Sequence, residues 1–311
     1  MVKDGTARGD AAQDAAMQDN AATQGAAVQD DAAAQDAAAR RVRAHYAEVA
    51  KMAASAEQTP EGFHVVSETR AACPIDERSE ALSIYDEKLV DGIPQRALVA
   101  SRGCADPVSR ANLQPGERVI DLGCGGGVDA IIASRMVGPA GRVYGLDMTP
   151  EMLALARENA QSAGAGNIKF LEGAIEDVPL PDASLDVVLS NCVINFAADK
   201  RRVFSEAVRV LRPGGRLVAS DIVCFSELPD GTQDDMAALT GCTSGIPRSK
   251  AYLRMLHEAG FSSAELEPKT LYTMEVLQEK ARRKGRMEVF SRLAGADVGS
   301  KTGSVVIVAV K

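Results

Sequence analysis

The feature that most constrains the fold is the stretch Val119–Gly127, in which apolar residues run into a carboxylate and then into four glycines around one cysteine. This pattern predicts a buried strand that stops abruptly and leads into a helix. A glycine has no Cβ, so it accepts a positive φ and lets a ligand approach the backbone at the helix N-terminus. A nucleotide-type ligand site is the first expectation, while a plain tight turn is the alternative.

The chain after this loop alternates strand and helix signals, and the strands are almost wholly apolar. Such repeated strand-helix-strand units indicate a parallel sheet covered on both faces. The predicted fold is therefore a doubly wound, Rossmann-like α/β fold. The predicted strands are 118–122, 143–147, 168–172, 185–190 and 216–222. The predicted helices are 128–136, 150–163 and 200–211. Thr149 is the predicted N-cap of the helix 150–163.

Composition excludes several classes of function. The formal net charge of −8 disfavours a nucleic-acid partner, which would call for clustered Lys and Arg, and favours a small-molecule substrate. The longest apolar runs, such as Val305–Val310, are far shorter than the roughly 18 residues of a membrane span. Six cysteines occur without a secretory leader, so we expect reduced thiols and a cytoplasmic location.

Composition also divides the chain into four parts. Residues 1–39 repeat short Ala, Gln and Asp patterns and are expected to form a disordered tail. Residues 40–115 are expected to form an N-terminal helical cap that contributes Cys73 and Cys104. Residues 116–225 are the predicted cofactor-binding domain, and residues 226–311 are a C-terminal substrate-binding or lid region that completes the sheet.

The ends of the predicted strands assemble a cofactor site, because ligands of doubly wound sheets bind at the carboxyl ends of the strands. Asp147 is placed to accept the ribose hydroxyls, and the segment 172–177 is placed to contact an adenine. The glycine loop lacks the lysine of a P-loop, so a ligand without a phosphate chain, S-adenosylmethionine, fits best. The residues predicted to bind it are Asp121, Gly123, Gly125, Asp147, Met148, Ala174, Ile175, Glu176 and Asn191.

The turn Arg212-Pro213-Gly214-Gly215 before the fifth strand resembles that of the class I methyltransferases. This resemblance implies a seven-stranded, mostly parallel sheet whose last strand is antiparallel. Val305–Val310 would be that last strand.

Three cysteines are placed where a substrate would meet the cofactor. Cys192 directly follows the fourth strand, Cys242 lies in a loop after the fifth strand, and Cys104 precedes the first strand. Thiolates select soft, thiophilic elements over oxygen-preferring ions, so these three residues predict a thiolate cage. Cys124 and Cys224 are expected to be small buried hydrophobic side chains.

The segment that begins Ser190-Asn191-Cys192-Val193-Ile194-Asn195 is similar to the arsenite methyltransferases, as are Gly145–Thr149, Gly103-Cys104 and Thr240-Gly241-Cys242. The resemblance implies transfer of methyl groups from S-adenosylmethionine to trivalent arsenic held by Cys192 and Cys242, with Cys104 as the third ligand. It also implies that an upstream cysteine, here Cys73, forms a disulfide with Cys104 during turnover. Glutathione or thioredoxin would then be the reductant.

Two other functions remain open at this point. A methyltransferase acting on carbon or oxygen of a small molecule, such as a quinone-like acceptor, would not depend on the cysteines. A thiol-rich metalloid-binding protein with a degenerate methyltransferase fold would bind arsenite without consuming cofactor.

Overall fold

The computed structural model describes residues 37–59, 62–65, 84–242 and 245–311. Two compact units, 1–44 and 45–311, divide the chain, and all contacts given below lie within the second. Residues 37–54 form helix α1, whose first three residues belong to the segment expected to be a disordered or transiently helical tail. The rest of that predicted tail lies outside the described residues.

A seven-stranded sheet forms the centre of the second unit. Its strands are β3 (Arg118–Leu122), β4 (Arg142–Asp147), β5 (Ile168–Glu172), β6 (Leu185–Asn191), β7 (Leu211–Cys224), β8 (Ser263–Leu271) and β9 (Thr302–Val310). They are hydrogen-bonded in the order β5-β4-β3-β6-β7-β9-β8. In this sheet β9 is antiparallel to both of its neighbours and the other pairs are parallel, which confirms the predicted mostly parallel sheet with an antiparallel last strand.

Helices cover both faces of the sheet, and this explains why the central strands are apolar throughout. Val119 of β3 packs into a core on one face, and the adjacent Ile120 packs into a second core on the other; neither is exposed. The helices before and around the sheet are α2 (Glu87–Val90), α3 (Gln95–Ala100), α4 (Pro107–Ala111), α5 (Val128–Val137), α6 (Pro150–Ser162) and α7 (Lys200–Val210). α3, α4 and α5 contribute to the first core, and α7 contributes to the second.

The predicted boundaries of the central elements agree with the structure to within one or two residues, except at β7. This strand starts at Leu211, five residues before the predicted start, because the Arg212–Gly215 turn is a bulge inside the strand. Leu211 pairs with Leu185 and Arg216 pairs with Val187, so four residues of β7 lie opposite one residue of β6.

The C-terminal region contains more regular structure than the sequence indicated. It holds β8 and four helices, α8 (Gln233–Thr240), α9 (Ser249–Ala259), α10 (Met274–Arg283) and α11 (Met287–Leu293). A short hairpin of β1 (Ala56–Thr59) and β2 (Gly62–Val65) precedes the main sheet. Within the described ranges, every helix is too short or too polar to cross a membrane.

Candidate active site

The glycine loop between β3 and α5 has the backbone conformation that its sequence predicts. Gly123 and Gly125 have φ values of 67° and 50°, in the left-handed region that favours glycine. A Cβ on Gly123 would also lie 2.5 Å from Cγ2 of Val193, so a larger residue has no room there. Around Gly125, by contrast, a Cβ would meet no atom within 4 Å, and the loop is therefore open to a ligand on that side.

Asp147, at the end of β4, is bonded to the glycine loop. Its Oδ2 accepts a hydrogen bond of 3.0 Å from the Gly125 backbone N–H, and its Oδ1 accepts one of 2.8 Å from the Thr149 backbone N–H. Thr149 occupies the predicted N-cap position of α6, but its side chain makes no capping bond. Burial raises the pKa of Asp147, while these backbone donors lower it. The carboxylate thus joins the ends of two neighbouring strands.

Asp121, near the end of β3, is only 2% exposed. Its Oδ2 has no hydrogen-bond partner among the described residues. Burial, with the negative charges of Asp129 and Asp147, holds the pKa of this carboxyl well above its usual range. A buried oxygen without a donor is costly, so the arrangement fits a ligand that brings N–H or O–H donors to the strand ends, as an adenosyl amino acid does.

The loop after β5 lies beside Asp147, since Gly173 donates its backbone N–H to the Asp147 carbonyl at 3.1 Å. Three of the predicted cofactor residues follow in this loop. Ala174 is exposed and Glu176 is half-buried, whereas Ile175 is buried in the second core. Met148, directly after Asp147, is half-buried.

Asn191, at the end of β6, is bonded to the loop that carries Cys104. Its Oδ1 accepts a hydrogen bond of 3.1 Å from the Cys104 backbone N–H, and its Nδ2 donates to the Ala105 carbonyl at 3.0 Å. These contacts describe a residue that fixes a cysteine loop. The predicted contact of Asn191 with the cofactor stays a prediction.

Two further buried residues complete the Asn191 network. Tyr85 donates its hydroxyl hydrogen to Asp129 at 2.7 Å, and Nδ2 of Asn191 lies 2.9 Å from the Tyr85 oxygen and 3.0 Å from Asp129 Oδ2. Burial raises the pKa of Asp129 to about 6, although the bonds from Tyr85 and Asn191 lower it. Sequence reasoning missed Tyr85 and Asp129, because no local pattern signals contacts between residues so far apart in the chain.

Cys104 and Cys192 form a disulfide, with their Cα atoms 6.0 Å apart. This differs from the expectation that the thiols are reduced. The disulfide of Cys104 with Cys73 during turnover stays a prediction, because Cys73 lies outside the described residues. The physical reason is that Asn191 ties the backbone of Cys104 to the strand end that immediately precedes Cys192. Cysteine spacing alone cannot reveal a long-range pairing of this kind.

Cys242, just after α8, is 4% exposed and belongs to a small core against which Cys104 and Cys192 also pack. Burial, and next the negative charge of Asp221, raises the pKa of the Cys242 thiol to about 11. Cys124 and Cys224 are both buried, as expected for small hydrophobic side chains. In the parts of the chain that the structure describes, no three His, Cys, Asp or Glu side chains are grouped as metal ligands. The three-thiol cage therefore remains a prediction, and it requires the disulfide to open.

A cavity of about 340 Å³ lies beside Cys104. Its lining includes Ala105, Arg110 and Lys269 as well as Cys104 itself. The loop that carries this cysteine is therefore accessible to a small molecule.

Three features define a Rossmann-like class I methyltransferase fold: the strand order, the glycine loop after β3, and Asp147 at the end of the neighbouring strand β4. In agreement, the family described as "Methyltransferase domain" matches residues 113–260. The chain belongs to the arsenic(III) S-adenosylmethionine methyltransferase family, as its similarity to a solved member shows. That crystal structure, from Chlamydomonas reinhardtii, is 31% identical with a TM-score of 0.55, and the match covers 75% of this chain and 72% of that one.

Two curated relatives extend this comparison. An arsenite methyltransferase from Halobacterium salinarum is 48% identical over 167 residues, which are 54% of this chain and 43% of that protein. A demethylmenaquinone methyltransferase from Geobacillus kaustophilus is 29% identical over 185 residues, which are 53% of this chain and 79% of that protein. The chain thus spans less than half of the length of the arsenite methyltransferase.

Proposed function

We propose that this protein transfers methyl groups from S-adenosylmethionine to trivalent arsenic that is held by cysteine thiolates. The observation that carries the proposal is the convergence of three cysteines from separate elements. Cys104 and Cys192 are bonded to each other, and both pack against the core that contains Cys242. This grouping lies at the strand ends that also carry the glycine loop, so a substrate on the thiols would be next to the cofactor site.

The cofactor side of the proposal rests on Asp121, Asp147 and the glycine loop. Asp147 would accept the ribose hydroxyls, and the unpartnered Oδ2 of Asp121 offers an acceptor to donors of the ligand. Gly125 leaves open space where the ligand would approach the loop, and Gly123 makes room for the Val193 side chain. When bound, S-adenosylmethionine supplies an electrophilic methyl carbon on a sulfonium. The chain's contribution is then mainly to position the two reactants.

The thiol side of the proposal requires a reductant. Two thiols of a small or protein reductant open the Cys104–Cys192 disulfide by exchange, giving two protein thiols and one new disulfide in the reductant. Glutathione and thioredoxin are the reductants we propose, and their reducing pool implies a cytoplasmic location. The cavity beside Cys104 gives such a reductant access.

With the disulfide open, Cys192 and Cys242 would bind arsenic by exchange with the thiols that deliver it, and Cys104 would be the third ligand. Each protein thiol loses its proton as its sulfur bonds to arsenic, and the departing thiolate takes that proton. Trivalent arsenic keeps its lone pair in such a complex, so the nucleophile has no proton to lose. The chemistry therefore needs no general base at the site.

Serine substitutions of the cysteines test the proposal. Cys192→Ser and Cys242→Ser should each abolish arsenite methylation, measured by mass spectrometry of the arsenic species in the presence of glutathione and cofactor. Both variants should bind S-adenosylmethionine with unchanged affinity by calorimetry. Cys224→Ser is the matched control, because Cys224 is equally buried but its sulfur contacts the Ile246 carbonyl instead. Retained turnover in either test variant would contradict the cage.

Cys104→Ser tests whether the third arsenic ligand has a different role from the other two. A monomethylated arsenic atom carries one methyl group in place of a thiolate, so it needs only two protein ligands. We expect this variant to lose activity on arsenite and to keep some activity on methylarsenite. Equal loss on both substrates would remove the special role of Cys104.

A methyltransferase for a quinone-like acceptor is the second candidate, and the similarity to the demethylmenaquinone methyltransferase favours it. That function predicts turnover that does not depend on any of the cysteines. The serine variants distinguish it from arsenic methylation. A non-catalytic metalloid-binding protein would instead bind arsenite without forming any methylated product.

A further inference from the structure

Asn195 is a buried residue that belongs neither to the predicted cofactor site nor to the predicted thiolate cage. It lies in the 3-10 turn Ile194–Phe196, three residues after Cys192, and is only 1% exposed. Its Nδ2 donates to the Ile222 carbonyl at 2.8 Å and lies 3.7 Å from the sulfur of Cys242. One side chain from the Cys192 loop therefore reaches the other cysteine.

The geometry uses both hydrogens of the amide. An asparagine Nδ2 carries two N–H donors, of which one is taken by the Ile222 carbonyl and the second is directed to the sulfur. A neutral thiol is a weak acceptor, but a thiolate accepts a stronger, charge-assisted hydrogen bond. The contact therefore gains strength in the form of Cys242 that binds a thiophilic atom.

The anchor point of this amide is itself fixed. The Ile222 backbone N–H donates to Oδ1 of Asp221 at 3.2 Å, and the Tyr252 hydroxyl donates to Oδ2 of the same carboxylate at 3.2 Å. Asp221 is 1% exposed, and Tyr252 is fully buried. The backbone of Ile222 is thus held at its N–H by Asp221 and at its C=O by Asn195.

We propose that Asn195 is the positioning residue of Cys242, an inference that rests on the proposed function. Its amide holds the Cys242 sulfur at a fixed place relative to the turn that follows Cys192. The two thiolates are then presented together to one arsenic atom. Without this hydrogen bond, Cys242 keeps its buried place after α8 and its hydrogen bond with the Thr240 side chain, but it loses the link to the turn that follows Cys192.

The test is arsenite binding by the reduced protein carrying Asn195→Leu, which has a similar volume but no donor. Arsenite affinity should fall roughly tenfold or more, the size expected for one hydrogen bond to a charged group. S-adenosylmethionine affinity should stay at the wild-type value. Asn167→Leu is the control, because the half-buried Asn167 also donates from its Nδ2, but to the backbone carbonyls of Ser134 and Gly138 rather than to a sulfur.

A double-mutant cycle distinguishes positioning from a general structural effect. In a Cys242→Ser background, Asn195→Leu should have no further effect on the residual arsenite affinity, whereas in a Cys104→Ser background the roughly tenfold loss should persist. An equal loss in both backgrounds would overturn the proposal. If Asn195→Leu does not fold, Asn195→Ala, which removes the same donor without adding bulk or charge, takes its place in the cycle.

The same experiment separates this inference from the proposed function. If the reduced wild-type protein binds no arsenite, the proposed function fails. If the wild-type protein binds arsenite and the Asn195 variant binds it equally well, only the positioning role fails.

Discussion

Asp147 shows how one carboxylate can serve both the fold and the ligand. The sequence placed it at a strand end as a ribose acceptor, and the structure adds that it holds the backbone N–H groups of Gly125 and Thr149. These bonds connect the glycine loop to the start of α6. A ligand bound to Asp147 would therefore also affect the position of the whole glycine loop.

Asp147→Ala should weaken S-adenosylmethionine binding by roughly tenfold or more, because it removes a hydrogen-bonding carboxylate and releases Gly125. Calorimetric titration measures the effect. Asp182→Ala is a suitable control, since Asp182 is a mostly exposed carboxylate whose contact is a surface ion pair with Arg209. An affinity equal to that of the wild type would contradict the ribose assignment.

The thiol of Cys242 should also ionise at an unusually high pH. Burial, and then the charge of Asp221, raises its pKa to about 11, whereas an unperturbed thiol titrates near ~8.5. Between these two values the native thiol keeps a proton that the unfolded thiol loses. This group's contribution to stability is therefore present below about pH 8.5 and is lost as the pH rises toward 11.

The rate at which iodoacetamide alkylates Cys242 can be measured at each pH by peptide mass spectrometry. In the native protein the rate should keep rising with pH beyond 9, because the reactive thiolate is still a minor species there. In denaturant the same cysteine should reach its plateau near the ordinary thiol pKa. A native plateau near pH 8.5 would show that the thiol is not shifted.

At the scale of elements, the loop that precedes α4 is held in place from two sides. Asp106 caps α4 by accepting the Ser109 backbone N–H at 2.9 Å, and Asn191 holds the Cys104 and Ala105 backbone. Gly103 lies directly against this amide: a Cβ there would be 2.6 Å from Asn191 Nδ2. The absence of a side chain at Gly103 lets the loop and β6 come together.

Gly103→Ala should therefore destabilise the protein by about 1–3 kcal/mol, the usual cost of overpacking, because Asn191 is held by several bonds and cannot move aside. It should also raise the fraction of free Cys104 and Cys192 thiols at a fixed glutathione ratio. Urea unfolding and thiol titration measure the two effects. In Gly166→Ala, the control, the new Cβ meets nothing within 4 Å; the same loss in both variants would contradict the account.

The central elements could be predicted from sequence because their apolar periodicity is local. β8 escaped prediction because Glu265, Glu267 and Lys269 give it a polar pattern, and Pro268 usually marks a break in a strand. Its partner β9 supplies the pairing, and a register shift after Pro268 accommodates the proline. Such a strand is specified by its neighbour, which local patterns do not report.

The site divides in the same way. The positions of Asp121, Asp147 and Cys192 could be predicted because each residue lies at, or directly after, the end of an apolar strand. Tyr85 and Asp129 could not, because their hydrogen bonds join residues 44 and more positions apart.

At the scale of the whole molecule, one sheet brings the two parts of the candidate site together. The ends of β3 and β4 carry the predicted cofactor residues, and β6, which pairs directly with β3, ends next to Cys192. The thiols and the cofactor site are thus one strand apart. In the proposed function, this adjacency, rather than any single residue, would allow a methyl group to pass to an atom bound on sulfur.

The most direct test of this account is transfer of an isotopically labelled methyl group. The reduced full-length protein is incubated with arsenite, glutathione and S-adenosylmethionine labelled in its methyl group, and the arsenic species are analysed by mass spectrometry. Methylated arsenic that carries the label is the expected result, and no such product is expected when glutathione is left out and the protein is oxidised at Cys104 and Cys192. Arsenite binding without any labelled methylarsenic would contradict the account.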